Sequence, residues 1–275
     1  MKNGLANKER DIKVRSCSPR PIIQPCHLEG YAYQVDPYIG CEHHCYYCYA
    51  LNRAETDWTE EILIYSDLFA QLSRELEGLE PQSIYVGMNS DPYQPAEATT
   101  RQTRGVLELL NERAYSACIL TKSPLVTRDI DLFKEMPEAF VGFSVAFQDE
   151  PTRTLFEANA PSNEARIQAL RALKEAGVRT YVLICPVMPF ITDVEELISE
   201  VAPYADTIWV YGLSMHAEED RNWGNVRGIL NQHFPEMTEN YRQLAFSKSR
   251  PYWINLRKSL EKARLQRGLD LRAEL

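Results

Sequence analysis

Three cysteines on one short stretch carry the strongest chemical signal in this 275-residue chain: Asp36-Pro-Tyr-Ile-Gly-Cys41-Glu-His-His-Cys45-Tyr-Tyr-Cys48-Tyr-Ala50. The spacing is C-x3-C-x2-C. Thiolates this close on one loop can wrap an iron–sulfur cubane and ligate all but one of its irons, whereas electron-transfer clusters are fully ligated by protein. The remaining iron is then open to a small chelating ligand. Tyr47, two residues after Cys45, is placed to pack over such a cluster and limit its exposure to water. A structural zinc site is the competing reading, with His43, His44 or His27 as a further ligand. Zinc sites usually pair two short knuckles, and the nearest other cysteines, Cys17 and Cys26, do not form one.

Something rigid must hold that loop, and the surrounding sequence supplies it. Apolar, β-branched or aromatic runs at 31–36, 83–88, 116–121, 140–146, 179–186 and 207–212 read as strands of a parallel sheet buried on both faces. Helical patterns near 64–78, 101–113, 127–136, 162–176 and 192–203 lie between them. In 162–176, Ser162 is an N-cap candidate, Ala165, Ala169, Leu170 and Leu173 recur at helical spacing, and Gly177 is placed to end the helix. Repeated β-α units of this kind build a partial (β/α)6 barrel in an α/β fold; a full eight-unit barrel needs a longer alternation. The expected organisation is an irregular segment at 1–29, where Pro19, Pro21 and Pro25 disfavour regular structure, a barrel at 30–212, and a mostly helical extension at 213–275 packed on or beside it. The cysteine loop follows the first barrel strand, on the face where α/β barrels carry their chemistry.

Composition narrows the class. No apolar run approaches the ~18 residues of a membrane span, and Met1–Arg20 is polar with no signal-peptide core, so a cytoplasmic protein is expected. The cysteines number seven, and this odd count with three clustered suits a reducing compartment rather than a disulfide framework. The net charge of −9 argues against non-specific adhesion to nucleic acid. Residues 240–275 nevertheless carry nine Lys/Arg against three Asp/Glu, either a solvated helical face or a surface for phosphate.

With the motif and its frame in view, the chain resembles the radical S-adenosylmethionine (SAM) superfamily, and within it the spore photoproduct lyase-like branch often labelled DNA repair photolyases. The matching segments are DPYIGCEHHCYYCYA, SIYVGMNSDPYQPAEATTRQTRGVLELL, ILTKSPLVTRDIDLF, VGFSVAFQD, APSNEARIQALRALKEAG and VLICPVMPFITD, which follow in order across roughly residues 30–212. The resemblance implies that Cys41, Cys45 and Cys48 bind a [4Fe–4S] cluster, that SAM binds its open iron, and that reductive cleavage yields a 5′-deoxyadenosyl radical. It also implies an electron donor of the flavodoxin or ferredoxin kind.

The same resemblance suggests SAM contacts. Lys122 would meet the SAM carboxylate, with an acidic neighbour as its alternative partner. Ser144 would hydrogen-bond SAM, unless its hydroxyl only bonds backbone. Asn89, Ser90 and Asp91, at a strand tip, suit the SAM amino group or the substrate, while Asp91-Pro92 also reads as a simple turn. Arg166 would lie near the nucleoside or carboxylate, or form a surface ion pair with Glu157 or Asp149. The Tyr49 backbone would read the adenine edge. Pro186 and Met188 would line the adenine pocket or simply fill core.

The lyases return a hydrogen to their product from a cysteine at the end of the second strand. Met88-Asn89-Ser90-Asp91 stands there, which argues against the lyase reaction itself. Cys118 and Cys185 are candidate hydrogen donors on other strands, or buried structural thiols. The substrate readings are nucleic-acid repair or modification, supported by the basic, aromatic C-terminal region (Tyr241, Phe246, Tyr252, Trp253), and chemistry on a small molecule or peptide, supported by the net charge.

Overall fold

The computed structural model describes residues 12–18, 20–213 and 215–275. Most of the stretch read for a secretory leader, and Pro19, lie outside the described residues. The first part of the chain runs β1 (Lys13–Cys17), β2 (Ile23–Pro25), β3 (Tyr33–Val35), β4 (Tyr38–Ile39), β5 (Glu61–Tyr65), α1 (Leu68–Glu75), β6 (Ser83–Val86), α2 (Glu97–Thr100) and α3 (Gln102–Glu112). The middle holds β7 (Ser116–Thr121), α4 (Ile130–Glu135), β8 (Ala139–Val145), α5 (Glu150–Phe156), α6 (Asn163–Glu175), β9 (Arg179–Val187), α7 (Val194–Val201) and β10 (Thr207–Gly212). Three helices, α8 (Arg221–His233), α9 (Thr238–Ala245) and α10 (Pro251–Arg267), precede a last strand, β11 (Leu271–Glu274).

The six expected strands are β3, β6, β7, β8, β9 and β10, and they are consecutive parallel neighbours in one sheet ordered β11-β10-β9-β8-β7-β6-β3-β2. Among the described residues β2 and β11 do not pair with each other, so the sheet curves without closing, as a partial barrel does. Its two faces separate by strand parity. Ile84 and Val86, Ala117 and Ile119, Val141 and Phe143, Val182 and Ile184, and Ile208 and Val210 all belong to the main core. Their alternates, Tyr85, Cys118, Leu120, Phe140, Tyr181 and Trp209, form a separate inner cluster. Gly142, also on the inner face, lets Tyr181 lie across β8: a Cβ there would sit 2.3 Å from the ring.

The clearest helix forms as expected. Ser162 caps α6 by accepting from the Ala165 amide, Ala169, Leu170 and Leu173 are buried, and Gly177 follows the helix at φ +83°. Other expectations need correction. Residues 1–29 are not wholly irregular: β1 pairs with β5, and β2 pairs antiparallel with β3, its Pro25 tolerated because the strand lies at a sheet edge. The helix expected from 64 starts at Leu68, because Glu61–Tyr65 is a strand between β1 and β4. Residues past 213 hold α8, α9 and α10, and β11 adds one more parallel strand beside β10. Leu-Arg-Ala-Glu has little strand preference of its own, and the exposed edge of β10 supplies the hydrogen-bonding partner.

Candidate active site

The cysteine loop is closed at its base. Tyr38 and Ile39 of β4 pair antiparallel with Ile64 and Leu63 of β5, so the chain leaves and returns at one point. Gly40 takes φ +93°, open to glycine and costly for other residues. A Cβ on Gly40 would lie 3.0 Å from the Trp58 indole nitrogen, so the returning segment packs its ring directly against the start of the motif. The segment after β6 clamps the other side. Gln94 accepts from the Glu42 amide at 2.9 Å and donates to the Gly40 carbonyl at 3.1 Å, while Glu42 accepts from the Ala96 amide at 2.6 Å.

A cleft of about 590 Å³, including its mouth, lies over the C-terminal ends of β6, β7 and β8. Cys41, Cys45, Cys48, Tyr47, Lys122 and Ser144 all line it, together with Asn89, Ser90 and Asp91. The fold therefore brings most of the candidate residues to one place. The last three spend much of their polarity on the chain itself. Asn89 donates its amide N–H and its side-chain NH2 to Asp36, each at 2.7 Å, and Ser90 donates to the Tyr38 carbonyl at 3.0 Å. Asp91 accepts from the Tyr93 amide (2.9 Å), Thr121 Oγ1 (2.6 Å) and the Lys122 amide (2.7 Å), with His43 Nε2 at 3.3 Å. Burial pushes this carboxyl up, but His43 and these donors outweigh it and hold it down at about 2. Asp91 thus bridges the cysteine loop, through His43, to the end of β7.

Behind the cleft sits a buried charge network centred on Glu157, which the sequence reading named only as a surface partner for Arg166. Arg166 donates to Glu157 at 2.5 Å, and neither side chain has any exposure; the pair lies in the core, not at the surface. Arg166 also donates to the Ser144 carbonyl at 2.9 Å. Glu157 accepts from the Tyr47 hydroxyl and stands 3.7 Å from Lys122 Nζ, which donates to Ser144 Oγ at 2.8 Å. Burial raises the Glu157 carboxyl, yet Arg166 and Lys122 hold it near 2. Lys122 thus has its acidic neighbour and also faces the cleft. Arg166 does not line the cleft and reaches it only through Glu157 and Ser144.

The remaining candidates are dispersed. Tyr49 is 44% exposed, and its hydroxyl donates to the Met88 carbonyl at 2.6 Å. Met188 is fully buried in the main core. Cys118 and Cys185 both stand on inner-face positions of their strands. Cys118 lies four residues before Lys122, about 13 Å down the strand, and contacts the Tyr181 hydroxyl at 3.7 Å. Cys185 is at the cleft end of β9, where its carbonyl is 3.5 Å from Ser144 Oγ. Trp58 and Thr121 escaped the sequence reading, and His43 entered it only as a possible zinc ligand; no local pattern marks their roles, since each acts through a contact distant in sequence.

The residues fit an iron–sulfur cluster. Burial pushes all of the motif thiols up, Cys45 to about 12 despite the nearby Lys122, so they ionise only against a metal's charge. Trp58 also lines the cleft, with a buried indole nitrogen that makes no hydrogen bond within the protein. Cys41, Cys45 and Cys48 all line the one cavity.

Comparison with known proteins agrees with this geometry. The model of the Radical SAM superfamily matches residues 35–201, and the chain belongs to that superfamily. Its cofactors are accordingly a [4Fe–4S] cluster and SAM. An uncharacterized protein of Methanocaldococcus jannaschii is 32% identical over 240 residues, covering 86% of this chain and 88% of its own. An uncharacterized Mycobacterium tuberculosis protein is 29% identical over 235 residues, 78% of this chain and 67% of that one. Among solved structures, spore photoproduct lyase complexed with dinucleoside spore photoproduct superposes with a TM-score of 0.65 at 16% identity, over 94% of this chain and 81% of that one. SuiB of Streptococcus suis, bound to its precursor peptide SuiA, superposes at 0.59 and 13% identity, over 90% of this chain and 49% of that one. Both likenesses concern the fold. No helix among the described residues is long and apolar enough to cross a membrane.

Proposed function

We propose that this radical SAM enzyme acts on a nucleobase-bearing substrate, repairing or modifying nucleic acid. When bound, the cluster and SAM supply a 5′-deoxyadenosyl radical. The protein's part is to position and to shield. Lys122 and Ser144 offer a cation and a hydroxyl to the SAM carboxylate, and Glu157 keeps the Lys122 ammonium charged and aimed. Tyr47, fixed by its hydroxyl on Glu157, covers the cysteines against water. The Tyr49 backbone reads adenine, and Asn89, Ser90 and Asp91 hold the loop edge that the SAM amino group meets.

The single observation that carries the substrate reading is the aromatic cluster on the inner barrel face, where Tyr31, Tyr85, Phe140, Tyr181 and Trp209 pack together below the cleft. Aromatic walls suit flat, unstacked bases, each stacking contact being worth about 1–3 kcal/mol. The likeness to a lyase solved with a dinucleoside photoproduct supports the same class. Cys185, at the cleft end of β9, is the better placed hydrogen donor; Cys118 serves only a substrate that reaches deep into the barrel. A second reading, chemistry on a peptide or small molecule, draws on the acidic net charge of −9 and on the likeness to peptide-bound SuiB.

The test is a binding and turnover series with anaerobically reconstituted protein and dithionite. Substrate-dependent stimulation of 5′-deoxyadenosine by thymine-dimer or single-stranded oligonucleotides, with binding that weakens steeply with salt, supports the nucleic-acid reading. Stimulation by peptides alone would displace it.

A further inference from the structure

Trp58 is almost fully buried, at 3% exposure, yet its indole N–H has no acceptor in the protein. An orphaned buried donor costs on the order of 1–3 kcal/mol, and a fold rarely leaves one without purpose. Buried Trp253 shows the ordinary solution: its N–H donates to the Leu244 carbonyl at 3.0 Å. Trp223 also lacks a partner, but it lies in the main core and does not line the cleft. Trp58 does line it, and packs with Cys41, Ala50 and Leu51 in one small cluster that Cys48 joins from the side. Its nitrogen edge is the part nearest Gly40, the residue before the first cysteine of the motif. The left-handed glycine and the orphaned donor thus belong to one arrangement: a side chain at position 40 would displace the nitrogen edge of the indole from its place beside the start of the motif.

We propose that the Trp58 indole N–H donates a hydrogen bond to a sulfur at the Cys41 corner of the [4Fe–4S] cluster and so raises its reduction potential. This rests on the cluster assignment above and adds a tuning residue to it. The physical reason is charge. Reduction adds an electron to the cluster, and a donor dipole aimed at its sulfur stabilises the more negative state. The arrangement makes the electron that starts SAM cleavage easier to deliver.

The experiment is a redox titration of the SAM-free cluster, followed by electron paramagnetic resonance, in the wild type and in Trp58→Phe. The phenyl ring keeps an aromatic surface against Gly40 and removes the donor together with part of the ring volume. Iron and sulfide content, measured first, reads the cluster itself: a wild type without a cluster would fail the earlier assignment, not this one. With full cluster content in both proteins, the variant's midpoint should move to lower potential, with the reduced-to-oxidised ratio at fixed potential falling by about tenfold, equivalent to about 59 mV for one electron. An unchanged midpoint overturns the proposal. Should Trp58→Phe fail to load, wild-type protein labelled with [15N-indole]tryptophan decides: a 15N hyperfine coupling to the reduced cluster supports the bond, and its absence overturns it.

Discussion

Arg166 and Glu157 meet at 2.5 Å with both side chains fully buried, behind the residues that line the active-site cleft. One side of Glu157 is held by Arg166; the other faces Tyr47 and Lys122, the residues beside the cysteines. A charge buried this deeply stabilises only while its partners are present. The pair therefore couples the packing of α6 to the geometry of the SAM site.

Replacing Glu157 with Gln should destabilise the protein by about 3 kcal/mol, because it leaves two buried cations without their anion. Urea unfolding of metal-free protein measures this. An unchanged midpoint would show that the network contributes nothing.

The same carboxylate predicts a pH dependence. Glu157 and Asp91 are held near 2 in the folded protein, below their ordinary values of 4.5 and 3.8. A depressed folded value means the stabilisation is complete above the ordinary value and disappears as pH falls towards 2. Stability of the metal-free wild type should therefore fall between about pH 4.5 and 2, and Glu157→Gln should flatten that limb. A variant as acid-sensitive as the wild type would contradict the assignment.

Lys122→Ala removes a cation facing the cleft while leaving every cysteine in place. SAM affinity should fall about tenfold or more, the worth of a hydrogen bond to a charged group. Iron content should stay at the wild-type level. Equilibrium binding to the reconstituted protein reads the difference, and equal affinity would remove Lys122 from the SAM site.

Gly142→Ala tests the inner wall. The added methyl meets the Tyr181 ring at 2.3 Å and must push it into the barrel. The expected cost is about 1–3 kcal/mol in stability, with substrate-stimulated 5′-deoxyadenosine formation lost and unstimulated SAM cleavage retained. Full stimulation in this variant would place the substrate elsewhere.

Much of this architecture can be read before any coordinates. The strands β6 to β10 announce themselves because parallel strands covered on both faces need near-continuous apolar runs. The cysteine motif is legible because its ligands are neighbours in the chain. What escapes is what only the fold brings together. Glu157 can be read from the sequence as a surface partner of Arg166, but only the fold buries the pair and sets Tyr47 and Lys122 against the same carboxylate. Trp58 looks like any aromatic until β4 and β5 fold it onto Gly40. Residues 271–274 lack strand preference and become β11 only because β10 offers an edge.

The most direct test is an iron, sulfide and spectroscopic assay of the anaerobically reconstituted wild type with added SAM. The account predicts about four irons and four sulfides per chain, a reduced-cluster spectrum that changes when SAM binds, and 5′-deoxyadenosine on reduction; Ala at position 41, 45 or 48 should lose all of these. Protein holding a single tetrahedral zinc, or a cubane whose spectrum ignores SAM, would contradict it.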